Sequence, residues 1–82
     1  MYFVIENQTR PDGAVNTTTT ARQSFASALS YYHDRFSKMV LTELYSSVSL
    51  LLVDENLNKI QHDTIATQYQ PPVEEPEKEP AE

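Results

Sequence analysis

The hydrophobic positions along the chain change period twice, and these changes divide it into four predicted elements. Residues 2–5 are aromatic or β-branched, which is typical of a strand, and a Pro-Asp-Gly turn signal follows at residues 11–13. Over residues 21–41 the apolar side chains recur every three or four positions without an interrupting glycine or proline, which predicts an amphipathic helix. Residues 47–53 and 58–65 are strand candidates on either side of a short polar turn.

The predicted helix has one apolar and one polar face. Thr20 and Gln23 form a capping-box pattern that predicts its start, and residues 17–20, four threonines, suit an extended approach to that cap. At 100° per residue the apolar side chains fall within an arc of about 120°. They are Phe25, Ala28, Leu29, Tyr32, Phe36, Met39 and Val40, and Ser24, Ser27, Ser30, Asp34 and Lys38 lie opposite.

The last two strands are predicted to pair as a β-hairpin over residues 46–68, with Asn56 able to adopt a left-handed conformation in the turn. The order β-α-β-β predicts an α+β fold in residues 1–70, with a three-stranded sheet and one long amphipathic helix across one face. A right-handed crossover makes the first two strands parallel if they are neighbours, whereas a first strand beside the third is antiparallel. The sequence leaves both arrangements open.

Both faces of this sheet are apolar, which is more than one helix can cover. The first strand divides into Tyr2 and Val4 against Phe3 and Ile5, and the second into Val48, Leu50 and Leu52 against Leu51 and Val53. Since a large exposed apolar patch is unusual on a soluble monomer, we expect another copy of the chain to bury the second face or an edge strand, giving a homo-oligomer. The alternative is that the third strand and residues 65–69 fold over the surplus.

Charge and composition narrow the class of protein. The 82 residues include 12 acidic and 6 basic side chains and no cysteine, which excludes disulfides, thiolate zinc sites and cysteine nucleophiles. Residues 71–82 hold five glutamates, one lysine and four prolines, so they are predicted to be a disordered acidic tail. The five bases of residues 1–70 form no patch for phosphates, so no direct binding of nucleic acid is expected.

No pattern in the sequence indicates an enzyme, a metal site or a cofactor. The His-Asp dipeptides at residues 33–34 and 62–63 supply too few ligands for a metal, and neither a nucleophile elbow nor a phosphate-binding glycine loop is present. There is no signal-peptide pattern, and the apolar runs, such as residues 50–53, are far below the roughly 20 residues that span a bilayer. We expect a cytoplasmic protein that does not enter membranes.

The candidate binding residues are aromatic or basic. Tyr31 and Arg35 lie one helical turn apart on the predicted polar side, and both types are favoured at interfaces. In a symmetric oligomer, basic side chains from two copies could surround an anion such as a nucleotide phosphate. The candidates for that role are Arg22, Arg35, Lys38 and Lys59.

The layout resembles the short single-domain accessory proteins of bacteriophages and mobile elements of gut bacteria. The resemblance rests on the opening strand at residues 1–5, the single amphipathic helix and the closing hairpin around residues 51–57. It implies non-enzymatic inhibition of a host defence system in the host cytoplasm, either by covering an immune effector or by sequestering a nucleotide signal. A purely structural, self-assembling module is the third possibility. The resemblance assigns no functional residue.

Overall fold

A computed structural model describes residues 1–70 as one sheet of four strands with one helix on it. The elements are β1 (Tyr2–Thr9), β2 (Val15–Arg22), α1 (Phe25–Val40), β3 (Ser47–Asp54) and β4 (Lys59–Ile65). The strand order is β2-β1-β3-β4, and every neighbouring pair is antiparallel. The α+β class is confirmed, but the prediction of three strands is wrong by one. The predicted disordered tail, residues 71–82, lies outside the described residues.

The additional strand, β2, contains the threonine run. Residues 10–14 link it to β1 in a tight hairpin, in which the Gly13 amide donates to the Arg10 carbonyl at 2.9 Å and the Arg10 amide to the Ala14 carbonyl at 2.8 Å. Gly13 has a φ of 93°, a conformation that glycine adopts without a steric penalty, so the loop is a type I turn followed by a bulge. The threonines are extended, as predicted, but they belong to a strand.

Helix α1 begins later than the capping-box pattern predicts, because β2 occupies the chain up to Arg22. Ser24 is the N-cap, with φ −111° and ψ 152°, and its hydroxyl oxygen accepts from the Ser27 amide at 3.0 Å. The predicted cap at Thr20 is therefore wrong. The helix ends at Val40, after which the Leu41 amide still donates to the Lys38 carbonyl at 3.2 Å.

The hairpin before the helix also changes the strand directions. β1 and β3 are neighbours, but they are antiparallel, with Val4 opposite Leu52 and Gln8 opposite Val48. The first and second predicted strands are thus neighbours without being parallel. Neither arrangement that the sequence left open is observed, because β2 reverses the chain before it enters α1. The parallel strands that the helix connects are β2 and β3, and β1 lies between them.

The hairpin of β3 and β4 is confirmed, although its left-handed residue is Leu57, with a φ of 65°, and not Asn56. Asp54 organises this turn. Its Oδ1 accepts from the amides of Asn56 and Asn58, both at 2.9 Å, and its Oδ2 accepts from the Asn58 side-chain amide at 3.2 Å. These bonds, the one from the Asn58 backbone first, hold the pKa of Asp54 below its ordinary value.

The core lies between α1 and one face of the sheet. Ala28, Tyr32 and Met39 are buried from the helix, and Leu29, Phe36 and Val40 pack partly exposed beside them, which confirms the predicted apolar face. Phe25, at the helix start, is more exposed and packs edge-on against Tyr2 with ring centroids 5.7 Å apart. Each fully buried aliphatic side chain contributes about 1.5–3 kcal/mol. The sheet supplies Val4, Val48, Leu50, Leu52 and Ile65.

Candidate functional site

The face of the sheet opposite α1 carries an apolar patch. The register pairs Phe3 with Val53 and Ile5 with Leu51, so these four side chains are neighbours on one face. Phe3, Ile5 and Leu51 are each partly exposed, and Val53 is buried among them. We call these four residues the open-face patch. It confirms that both sheet faces are apolar and that the helix covers only one.

Polar side chains border the open-face patch where Asn7 follows Ile5 along β1. At one end Thr17 donates its hydroxyl to Asn7 Oδ1 at 2.6 Å, and Ser49 is opposite Asn7 on the neighbouring strand. The alternative expectation was that residues 65–69 fold over the patch, and they do not. Instead Thr67 Oγ1 donates to the Tyr45 carbonyl at 2.8 Å, and the Gln68 amide to the Thr42 carbonyl at 3.1 Å, which holds this segment against the loop after α1.

A second exposed feature is the free edge of β2. Hydrogen-bonded pairs alternate along an antiparallel ladder, and here they continue from the pair Arg10 and Ala14 through Gln8 and Asn16. The even-numbered residues of β2 therefore bond to β1. The odd-numbered residues direct both backbone N–H and C=O outward, and these are Val15, Thr17, Thr19 and Ala21.

A buried polar cluster lies between the sheet and the second half of α1. Glu6 is only 4% exposed and occupies a helix-facing position in the central strand β1. Arg35 donates to it through both Nε, 2.8 Å from Oε1, and Nη2, 2.9 Å from Oε2. Gln8 Nε2 also donates to Glu6 Oε2, and Asn16 Nδ2 donates to Gln8 Oε1 at 3.0 Å. The cluster thus joins α1, β1 and β2.

The electrostatics of this cluster favour the charged pair. Burial of Glu6 acts to raise its pKa, but hydrogen bonds from Arg35 and Gln8 and the charge of Arg35 outweigh it and hold the pKa of Glu6 below its ordinary value. The bond to Glu6 in turn raises the pKa of Arg35, so both groups stay ionised. With its carboxylate fully engaged, Glu6 serves as a structural anchor for α1 and is not free for proton transfer.

Two of the predicted ligand-binding residues, Arg22 at the end of β2 and Tyr31 in the first half of α1, are in contact. The Arg22 guanidinium carbon lies 4.8 Å from the centroid of the Tyr31 ring, a cation–π contact. The Thr20 hydroxyl donates to the Tyr31 hydroxyl at 3.2 Å. A shallow depression of about 390 Å³ lies beside them and is lined by Arg22, Ser27, Ser30, Tyr31 and Asp34.

The other predicted binding residues are separate from this contact or already engaged. Arg35 is held by Glu6, and Lys38 pairs with Asp34 at 3.1 Å one turn away on the helix surface. Lys59 lies on β4, opposite Val53, on the far side of the sheet from α1. The structure therefore does not bring Arg22, Arg35, Lys38 and Lys59 together around one ligand within a single copy.

One residue of each His-Asp dipeptide, His33 and Asp63, contacts the buried Tyr32. Tyr32 is fully buried and donates its hydroxyl to Asp63 Oδ2 at 2.6 Å, while Gln61 donates to the same oxygen at 3.2 Å. Burial first, and then the bond to Asp63, raise the pKa of Tyr32. His33 packs its ring edge-on against Tyr32. Among residues 1–70, no three His, Asp or Glu side chains are grouped closely enough to hold a metal ion.

Comparison of this chain with protein-family models, curated proteins and solved structures found no match. The part of the chain that the structure describes contains no helix long and apolar enough to cross a membrane. Function is therefore inferred from the exposed surfaces described above.

Sequence reasoning missed the β2 edge and the Glu6 cluster for one reason. The apolar pattern predicts a first strand that ends at Ile5, because the residues between it and the Pro-Asp-Gly turn are polar or charged. Continuing the alternation from Tyr2 and Val4 places Glu6 and Gln8 on the same face. The residues after the Pro-Asp-Gly turn, which include the threonine run, then pair with this longer strand as a hairpin. The polar composition concealed this hairpin, because its outer strand has few apolar residues to mark a face.

Proposed function

We propose that the protein is a non-enzymatic binding protein whose open-face patch occludes a surface of a partner protein. The observation that carries this proposal is the position of Phe3, Ile5 and Leu51, three partly exposed apolar side chains adjacent on the face that α1 leaves uncovered. A rigid apolar centre with a polar rim is the arrangement of protein interfaces. The ladder of the sheet fixes the patch before binding, which reduces the entropy lost on association.

The proposed partner is a protein of a bacterial defence system, in keeping with the resemblance to phage accessory proteins. Inhibition by occlusion needs only shape, apolar area and a stable scaffold, all of which a chain of this size can supply. No catalytic group is required. The buried Glu6–Arg35 pair and the Tyr32–Asp63 bond contribute by fixing the helix on the opposite face.

The experiment that tests this proposal uses a photo-crosslinking amino acid at one of two positions. Position 51 lies in the open-face patch, and position 30 is exposed on the opposite side, on α1. In extracts of a bacterial host, we expect one host protein to be cross-linked from position 51 and not from position 30. Equal cross-linking from both positions, or none from position 51, contradicts the proposal.

A pair of variants checks the same surface by affinity capture. Ile5→Thr with Leu51→Thr makes the patch more polar, and threonine is β-branched and suits a strand at both positions. Ser30→Ala is the control, because Ser30 is exposed on α1, on the opposite side of the sheet. We expect the double variant to lose the cross-linked partner and the control to retain it. Capture of that partner by both proteins contradicts the assignment of the patch.

Sequestration of a nucleotide has less support as a function. The ring of Tyr31 is covered on one side by Arg22, and both Arg35 and Lys38 are paired with carboxylates. A thermal-shift screen against nucleotides separates this alternative from protein binding. A nucleotide at 100 times its dissociation constant stabilises the folded chain by about 2.7 kcal/mol, so a shift of that size with any nucleotide favours sequestration.

A further inference from the structure

We infer that two copies of this chain associate through β2, edge to edge and antiparallel, to form one continuous eight-stranded sheet. β2 is an eight-residue edge strand, exposed at each of its first five positions. Four of its residues present outward N–H and C=O groups, and of these groups only the Ala21 carbonyl accepts a hydrogen bond within residues 1–70, from Nη1 of the adjacent Arg22 at 3.3 Å. Such an edge is a template for another strand.

The composition of β2 favours a second copy of itself as the occupant. Residues 15–21 contain no charged side chain, no proline and no glycine, so two of these strands can meet without like-charge repulsion although the chain carries a net charge of −6. The opposite edge, β4, is different. A register shift interrupts its ladder at Leu52 and Val53, and it carries Lys59 and Asp63. Bulges and charges of this kind discourage pairing at an edge.

One register satisfies both the ladder and the side chains. Outward-facing residues must pair with outward-facing residues, which are the odd-numbered ones, so the two-fold axis passes through an individual residue. Centring the axis on Thr18 pairs Thr17 with Thr19 of the second copy and Val15 with Ala21. All of residues 15–21 are then paired, by about eight backbone hydrogen bonds.

This register also covers exposed apolar surface. Val15 is 62% exposed in the single chain, and pairing places it beside Ala21 of the second copy on the open face. Shifting the axis to Thr19 instead places Val15 beside Gln23, beyond the end of β2, and leaves about six backbone hydrogen bonds within the strand in place of about eight. The Thr18-centred register is therefore the better fit.

The interface is small, since seven residues from each copy fall below the roughly 20–30 residues per side of a standard interface. The dimer is therefore expected to depend on concentration.

The two-fold axis of the dimer is perpendicular to the sheet, so both helices lie on one side and both open-face patches on the other. This inference does not rest on the proposed binding function, but it predicts that a bound partner meets two patches at once, with the gain in avidity that two linked sites provide.

The first test is the mass of the particle in solution, measured by light scattering up to about 1 mM protein, a concentration at which an association worth only about 4 kcal/mol is half complete. Thr17→Pro removes an outward N–H while leaving the inward bonds of Asn16 and Thr18 intact. Thr17→Val is the matched control, because it loses the same hydroxyl but keeps the N–H. We expect Thr17→Pro to weaken dimerisation by about tenfold or more, since two symmetric hydrogen bonds are lost. A wild-type monomer at the highest concentration, or equal dimerisation of the two variants, overturns the inference.

A second test is independent of the stability of the proline variant. The chain has no cysteine, so single cysteines can be introduced without a background thiol. At the axis, Thr18 faces its own copy as a non-hydrogen-bonded pair with Cα atoms about 4.5 Å apart, within the range for a disulfide. We expect Thr18→Cys to form a disulfide-linked dimer rapidly and Asn16→Cys, on the same face but off the axis, to do so at least about tenfold more slowly. Equal rates overturn this register.

The two proposals fail separately. Thr17→Pro should capture the partner that position 51 cross-links as well as Thr17→Val does, because the two variants lose the same hydroxyl and leave the four residues of the open-face patch unchanged. Ile5→Thr with Leu51→Thr should still dimerise, because the β2 edge is unchanged. Loss of dimerisation in the patch variant would show that the open face, and not β2, joins the copies.

Discussion

Arg35 holds both carboxylate oxygens of Glu6, with Nε 2.8 Å from Oε1 and Nη2 2.9 Å from Oε2. The Glu6 side chain is 5% exposed and that of Arg35 is 23% exposed, so the pair bridges the central strand and the helix out of contact with most solvent. Two parallel bonds between a guanidinium and a carboxylate fix direction as well as distance. The pair therefore sets the position of α1 over β1.

Replacing Arg35 by methionine should destabilise the fold by about 2–3 kcal/mol, because it leaves the buried carboxylate of Glu6 without its cation. Equilibrium unfolding in urea measures this loss. Lys38→Met is the matched control, since its pair with Asp34 is exposed on the same helix and should cost about 0.5 kcal/mol or less. Equal losses in the two variants would show that the Glu6 pair behaves as a surface pair.

The stability of the wild-type chain should fall as the pH drops below about 4.5. The pKa of Glu6 is lower in the folded chain than its ordinary value of 4.5, so the unfolded chain binds the proton more readily. The contribution of the pair is therefore fully present above pH 4.5 and is lost as the pH falls through the folded pKa. Asp63, whose pKa is lowered by its bond from Tyr32, adds to the same trend.

The Arg35→Met variant should show the opposite contribution from Glu6. Without the arginine, burial remains the larger influence and should raise the pKa of Glu6 above its ordinary value. Protonation then relieves the buried charge, so the deficit of the variant relative to wild type should shrink between pH 7 and pH 4. Urea unfolding at several pH values measures this difference, and a constant deficit would argue against a charged Glu6.

Replacing Tyr32 by phenylalanine should cost about 1–3 kcal/mol. The buried hydroxyl donates to Asp63 at 2.6 Å, and its removal leaves the ring in place but takes away a hydrogen bond to a charged group. Tyr2→Phe is the control, because Tyr2 packs its ring against Phe25 on the same side of the sheet and is only partly buried. Thermal unfolding should show a lower melting temperature than wild type for Tyr32→Phe and an unchanged one for Tyr2→Phe.

Ser24→Ala should destabilise the helix start by about 1 kcal/mol, because the Ser27 amide loses its acceptor. Ser30→Ala, in the exposed middle of α1, should be neutral or slightly stabilising, because alanine has the higher helix propensity. Urea unfolding of both variants distinguishes a capping effect from a change in propensity. Equal stability of the two would mean that Ser24 does not cap the helix.

Gly13→Ala should cost about 1–2 kcal/mol through the backbone alone. The φ of Gly13 is 93°, and a Cβ at this position would meet no atom within 4 Å, so the cost arises from the conformation and not from a clash. Gly13→Asn should lose less stability than Gly13→Ala, because asparagine tolerates positive φ better than alanine does. The order of the two melting temperatures checks this account, and a more stable alanine variant would contradict it.

The parts of the fold that the sequence predicts are those with apolar periodicity. Phe36 and Met39 mark the core face of α1, and Leu50 and Leu52 mark β3, because burial requires apolar side chains at the period of each element. β2 has no such signal, since an edge strand of threonines buries little on either face. The capping box at Thr20 was a valid local pattern, but strand pairing with Val4 took precedence over it.

The residues of the candidate sites also divide into those that local patterns predict and those that they do not. The apolar surplus at Phe3, Ile5 and Leu51 was visible from alternation alone. The contact between Arg22 and Tyr31 was not, because it depends on where β2 ends relative to the start of α1. Pairing of Arg35 with Glu6 likewise needs the register that places β1 under the helix. Long-range partners of charged side chains are set by topology, which local patterns do not encode.

The central place of β1 in the sheet has a consequence for the rate of folding. One of its partners, β2, is reached across the short loop of residues 10–14, so this hairpin can form in about 1–10 μs. The other partner, β3, is reached only after residues 10–46 close into a much larger loop, at a greater cost in chain entropy. The slow step of folding should therefore be the docking of the later hairpin onto the earlier one, with α1 carried between them.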